Sequence, residues 1–214
     1  MSIAAGACLD GDVECVSAAS ALLWAAAEGF DVVVCAIGPG IVGTGSRFGH
    51  GGLAAADAAN AAHALHGTPI LAVRASEGDP RDRHQGVSHH AQAVLELCLG
   101  DVIAPWPAGY DAPPWLEARV EVDVSGWEEA CAGLPLAHMG RGPQEDPLFF
   151  AAAFAAGRFA ADLQDGVDPG HQSLRGSLLI AGRAIDLPRQ VQIRNRFHFQ
   201  RVMQFPGIDG VIFN

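Results

Sequence analysis

Short unbroken apolar runs along the chain alternate with longer stretches whose apolar positions recur at helical spacing. Ser2-Ile3-Ala4-Ala5 predicts a short first strand, and Val13 to Glu28 a helix closed by Gly29. Asp31 to Ala36 is continuously apolar after its first residue, the pattern of a strand buried on both faces. A helix is expected from Leu53 to Leu65, stopped by Gly67 and Pro69, and then a strand from Pro69 to Ala75. Ser88 is placed to cap a helix running to Leu99. Val102 to Ala104 reads as a brief strand ended by Pro105 and Pro107, and Pro114 to Glu117 as a short helix. Arg119 to Val124 alternates apolar and polar residues like a half-covered edge strand. Ser125 would cap a helix through Cys131, Leu134 to Ala137 would add a strand, and Asp146-Pro147 would open a long helix to Leu163.

Strands alternating with helices predict an α/β fold: a doubly wound, mostly parallel sheet of five or six strands with helices on both faces. In such a sheet the loops leaving the strand C-termini share one edge, where ligands bind. The loops 6–14, 38–52, 76–87 and 138–146 fall there. The composition shifts after this region: residues 1–164 carry seven arginines against twenty acids, residues 165–214 six against four. The expected organisation is therefore an α/β domain over 1–164 and a C-terminal appendage over 165–214, either a hairpin or a poorly ordered tail.

Charge and composition remove several function classes. The net charge of −11 argues against wrapping nucleic acid, and no apolar run is long enough to cross a bilayer. With no signal-like N-terminus, a cytoplasmic location is expected. All thirteen basic residues are arginine, which excludes a P-loop lysine, a pyridoxal Schiff base and a lysine nucleophile. The five cysteines form no CxxC pair and read as reduced thiols.

Candidate chemistry concentrates in the four loops. Gly38-Pro39-Gly40-Ile41-Val42-Gly43-Thr44-Gly45-Ser46 places four glycines and a proline in eight residues before a helix. Backbone N–H groups around Gly38, Gly40, Gly43 and Gly45, with the Thr44 and Ser46 hydroxyls, would hold an anion; otherwise the glycines only permit a tight crossover. The stretch Asp79 to His90 carries Arg81, Arg83, His84, His89 and His90. Arginine forks bind oxyanions, and histidine carries protons near neutral pH. Asp10, Asp12 and Glu14 would either cap a helix or, with His84, His89 or His90, bind a divalent metal such as Zn²⁺ or Mn²⁺. His138-Met139-Gly140-Arg141-Gly142 adds Arg141 as an anion contact, or as a loop salt bridge to Glu145 or Asp146. His63, His66, His171 and His198, and the four tryptophans, read as surface or packing residues.

Three of these segments, Gly38 to Ser46, Asp79 to His90 and Met139 to Phe150, together with Gly11-Asp12-Val13-Glu14, resemble the bacterial family catalogued as Domain of Unknown Function 3866. The resemblance covers about residues 2–163, with Ser46 standing where the family has a second threonine. It implies no activity. Members of that family carry a further N-terminal region with more α/β units, so the resemblance implies an N-terminal partner region for this chain.

The sequence thus predicts a protein that binds a phosphorylated or nucleotide-like small-molecule anion at the sheet edge. As an enzyme it would use His84 or His89 as acid or base, with Asp12 and Glu14 positioning a metal or a sugar hydroxyl, and Gly38–Ser46, Arg81, Arg83, His90 and Arg141 holding the anion. The alternatives are a non-catalytic sensor of a phosphate metabolite and a metal-dependent hydrolase. The sequence designates no cofactor, and a homo-oligomer is the other partner it suggests.

Overall fold

The computed structural model describes residues 1–37 and 41–166. Gly38 and Gly40 of the glycine loop, and the expected appendage from 167 onward, lie outside the described residues.

The chain starts with two short strands, β1 (Ile3–Ala5) and β2 (Val13–Cys15), paired in parallel from Ile3↔Val13 to Ala5↔Cys15. The helix expected from Val13 begins later, as α1 (Ala18–Ala27). Ser17 sets the boundary through a capping box: its hydroxyl accepts from the Ser20 N–H, and the Ser20 hydroxyl accepts from the Ser17 N–H. Glu14 therefore sits in a strand and does not cap a helix.

The apolar stretch 31–36 is not a strand among the described residues; Val34 is 44% exposed. Extended backbone needs a neighbour for its N–H and C=O groups, and none of the described strands pairs with it. Cys35 and Ile37 instead pack on α2 (Ala54–Ala64), which runs as predicted.

The centre is built on segment 69–76. Ile70 pairs in parallel with Ile103, with Leu71 N–H donating to the Ile103 carbonyl at 2.8 Å and Ile103 N–H to the Pro69 carbonyl at 3.0 Å. The next donor on that side would be residue 105, which is proline and has no N–H. The ladder stops there. On its other side the same strand, β5 (Ala104–Pro107), continues through both prolines because Ala104 and Ala108 supply the donors toward β6 (Arg119–Val122). The expectation that Pro105 ends the strand is thus corrected: the prolines end one ladder and spare the other. Segment 69–76 finishes as β3 (Ala75–Ser76), antiparallel to β4 (Gly86–Val87).

The described strands form three two-stranded ladders, so the fold is mixed α/β without the five- or six-stranded sheet expected. Helices still cover both faces of the centre. Ile70, Ala72, Val120 and Val122 bury against Phe150, Ala151, Ala155 and Phe159 of α5 (Pro147–Gln164). Alanines at the buried positions of α5 let its backbone approach the strands closely. Leu71 faces the other way, against Ala55, Ala56 and Ala58 of α2 and Val94 of α3 (His89–Leu97).

Three smaller expectations are also corrected. Residues 114–117 form a turn, and Leu134–Ala137 is not a strand. Ser125 bonds back to Asp123, leaving Gly126, at φ 75°, as the residue before α4 (Trp127–Ala130). Among the described residues no helix is long and apolar enough to cross a membrane.

Candidate functional site

Residues 42–51 fold back on themselves. Gly51 N–H donates to the Val42 carbonyl at 2.8 Å, Thr44 N–H to the Gly49 carbonyl at 2.6 Å, and Gly43 bridges His50. The Thr44 and Ser46 hydroxyls bond to each other at 2.9 Å across the turn. A Cβ at Gly49 would lie 2.0 Å from the Thr44 hydroxyl, and one at Gly52 would lie 2.9 Å from His50 Nδ1. The glycines here make room for a tight hairpin that delivers His50, 7% exposed, beside α3, against which the 3-10 turn Gly51–Leu53 packs.

α3 begins at the same place. Its cap, Ser88, is fully buried and accepts from the His90 N–H at 3.2 Å. The first helical turn then presents His89 and His90 to His50, with ring centroids 5.6 and 4.1 Å from the His50 ring. His84, from the 3-10 turn Asp82–His84, lies 5.0 Å from the His89 ring and 5.1 Å from that of His90.

One ring nitrogen from each of His50, His89 and His90 lies within 4.8 Å of the others. Both nitrogens of His50, Nε2 of His89 and Nδ1 of His90 are buried without a hydrogen-bond partner among the described residues. Buried polar atoms are normally paired, because an orphan costs roughly 1–3 kcal/mol. Three imidazoles, each with one nitrogen in the cluster and each with at least one buried nitrogen unpartnered, suit an ion as their missing partner. Burial pushes all three histidines below their ordinary pKa, His90 to about 4, with the charges of their neighbours adding for His89 and His90. For His50 the Arg47 backbone pulls the other way without reaching hydrogen-bond geometry. The imidazoles are therefore neutral at physiological pH, the form that binds a metal. Tetrahedral Zn–N bonds of about 2.0–2.1 Å separate ligand nitrogens by roughly 3.3 Å, so modest ring rotations close the cluster on an ion.

The second half of the site is ionic. Asp79, fully buried, receives both Nε and Nη2 of Arg81 at 2.9 and 2.8 Å, Nη2 of Arg74 at 3.2 Å and Nη2 of Arg141 at 3.4 Å. The Arg81 hydrogen bonds, outweighing burial, hold its carboxyl far below the usual range. Asp146, also buried, accepts from the Ser76 hydroxyl at 2.5 Å, the Glu77 and Gly78 N–H groups, and Arg141 Nε at 3.2 Å. Burial alone would raise its pKa; these hydrogen bonds, led by that of Ser76, bring it below the ordinary value. Two loops are thereby locked together.

Arg74 joins the two halves. It donates to Ser88 Oγ at 3.1 Å, to His138 Nε2 at 3.3 Å and, closely, to His84 Nδ1. A guanidinium only donates, so Nδ1 of His84 accepts from Arg74, while Arg83 Nε approaches its Nε2 from the other side as a longer donor at 3.4 Å. Burial first, then the charges of Arg74 and Arg81, push the His84 pKa down to about 3.

The structure brings together His84, His89, His90, Arg81, Arg83 and Arg141, and sets the Gly43–Ser46 hairpin beside them through His50. Among the described residues it adds no such link for Asp12 or Glu14. The Asp12 carboxylate accepts from the Ser2 N–H at 2.8 Å, and Glu14 pairs with Ala4 in the β1–β2 ladder. His50, Arg74 and Asp79 are the residues that sequence reasoning passed over, whereas the bridge from Arg141 to Asp146 is one of the two readings it gave Arg141. A signal existed for one of them: Arg74 is the charged residue inside the apolar run Ile70–Ala75.

The depressed histidine pKa values set a pH dependence. In the unfolded chain these groups titrate near 6.5, while in the folded protein His90 and His84 stay neutral to about 4 and 3. The unfolded state takes up protons first. Stability is therefore full above pH 6.5 and lost as pH falls toward 4, by up to about 1.4 kcal/mol per pH unit for each such histidine. Urea denaturation of metal-free protein from pH 7.5 to 4.5 measures this, and His90→Gln is expected to flatten the slope.

A family model described as a protein of unknown function, DUF3866, matches residues 1–157. No curated protein matches the chain, and no solved structure does. Of the motifs that resembled this family, Asp79 to His90 and Met139 to Phe150 carry His84, His89, His90 and their ionic support, the described part of Gly38 to Ser46 leads into His50, and Gly11 to Glu14 leads into β2; the chain belongs to the DUF3866 family.

Proposed function

We propose that the chain is a metal-dependent hydrolase of a small molecule, with His50, His89 and His90 as the metal ligands. The observation that carries this reading is the cluster of three histidines from two elements, one nitrogen of each within 4.8 Å of the others, with buried imidazole nitrogens unpartnered among the described residues. Three neutral nitrogen ligands with an open fourth position are the arrangement in which a Zn²⁺-class ion acidifies water toward neutral pH and makes it a nucleophile.

The surrounding residues have definable parts. Ser88 fixes the first turn of α3, so the backbones of His89 and His90 are set before any ion arrives. Arg74 and Ser88 hold the His84 ring at Nδ1, and Arg83 approaches it at Nε2, so the ring is fixed beside His89 and His90. Asp79 and Asp146 hold Arg74, Arg81 and Arg141 in place.

The test uses purified protein stripped with a chelator, then reloaded with Zn²⁺, Mn²⁺ or Co²⁺ and assayed against a panel of phosphoesters, carboxylic esters and amides. Turnover is expected in a reloaded sample and at least about 100-fold less in stripped protein and in His89→Ala. Metal binding without turnover of any compound would favour the non-catalytic sensor. Failure to bind any of the three ions would remove the reading.

A further inference from the structure

Four arginines gather at this corner, and three of them are occupied. Arg74, Arg81 and Arg141 are paired with Asp79, and Arg141 also with Asp146. Arg83 differs. It is exposed, and among the described residues no carboxylate pairs with it. Its Nε lies 3.4 Å from His84 Nε2, on the ring that touches both His89 and His90. Its charge is felt at both of those imidazoles, where it helps to depress their pKa.

An unpaired guanidinium beside a three-histidine cluster poses an electrostatic question. Neutral imidazoles cancel none of a dication's charge, so the loaded site would hold a metal ion on one side of the His84 ring and Arg83 on that ring's Nε2, with no carboxylate among the described residues paired to Arg83. An oxyanion resolves this, one oxygen for the ion and others for the guanidinium fork, whose planar donors match phosphate geometry. We infer that Arg83 is the substrate-selecting residue of this site and that the substrate carries a phosphate-type oxyanion. This rests on the three-histidine metal reading above.

The test uses Co²⁺-loaded full-length protein, whose visible absorption reports the ion's ligands, titrated with inorganic phosphate. Phosphate is expected to shift the spectrum saturably in the wild type. In Arg83→Gln the apparent affinity should fall by about 10-fold or more with Co²⁺ stoichiometry unchanged, and Arg83→Lys should recover part of the loss. Asp82→Asn, at the neighbouring exposed position, should titrate like the wild type. If Co²⁺ binds and Arg83→Gln titrates like the wild type, or phosphate leaves the spectrum unmoved, the inference is wrong while the metal site stands. If Co²⁺ does not bind, both fall together.

Discussion

Asp79→Ala is expected to destabilise the protein by about 3–5 kcal/mol in chemical denaturation, the range for removing one partner of a buried ion pair. The carboxylate is fully buried and takes hydrogen bonds from three guanidinium groups and the Arg81 N–H. Two of those arginines, 74 and 141, have side chains only 15% exposed and could not turn to water when it is gone. Arg81, at 38%, could, so its share of the loss is small. The damage should extend to the histidines, since Arg74 also bonds His84 and Ser88. Asp79→Asn keeps the shape but not the charge and is expected to fall between wild type and Asp79→Ala. A cost below 1 kcal/mol for Asp79→Ala would mean that the arginines find other partners and that the network does not hold the loops.

His50→Phe is expected to act in opposite directions with and without metal. In metal-free protein the substitution removes two orphaned nitrogens while keeping a flat ring between Gly43 and Gly52. Stability should hold or rise, since each orphan carries a penalty of roughly 1–3 kcal/mol. With metal, the wild type gains about 4 kcal/mol at ion concentrations 1,000-fold above Kd, and the variant should gain almost none. Thermal melts of both proteins with and without Zn²⁺ give the four numbers required. A variant destabilised without metal would show that His50 serves packing, as an ordinary core residue. Such a pairing of stability lost to function is common at binding sites.

The elements legible in the sequence were those whose boundaries are written locally. α2, α3 and α5 carry their stop and start signals in Gly67, Ser88 and Pro147, and Arg119–Val122 shows its half-burial in alternating residues. Elements that depend on a distant neighbour were not legible. Residues 31–36 have strand composition and no strand to pair with, and a proline at 105 divides what reads as one sheet. The same distinction runs through the site. The density of His84, His89 and His90 is visible in ten residues, and so is the Arg81–Arg83 pair. That Asp79 would bind Arg141, 62 positions away, is not. Of the two readings of the glycine loop, an anion cradle or a tight crossover, the fold bears on the second: Gly49 and Gly52, just beyond Ser46, leave space for the hairpin and the His50 ring. A glycine cluster reports that something comes close, and the sequence does not say whether that is a ligand or the chain's own side chain.

Crystals of the protein grown with Zn²⁺, measured on either side of the zinc absorption edge, test the central claim most directly. The account predicts one anomalous peak at about 2.0–2.1 Å from one nitrogen each of His50, His89 and His90. Zinc found only at the surface acids, with the three imidazoles still unpartnered, would contradict it.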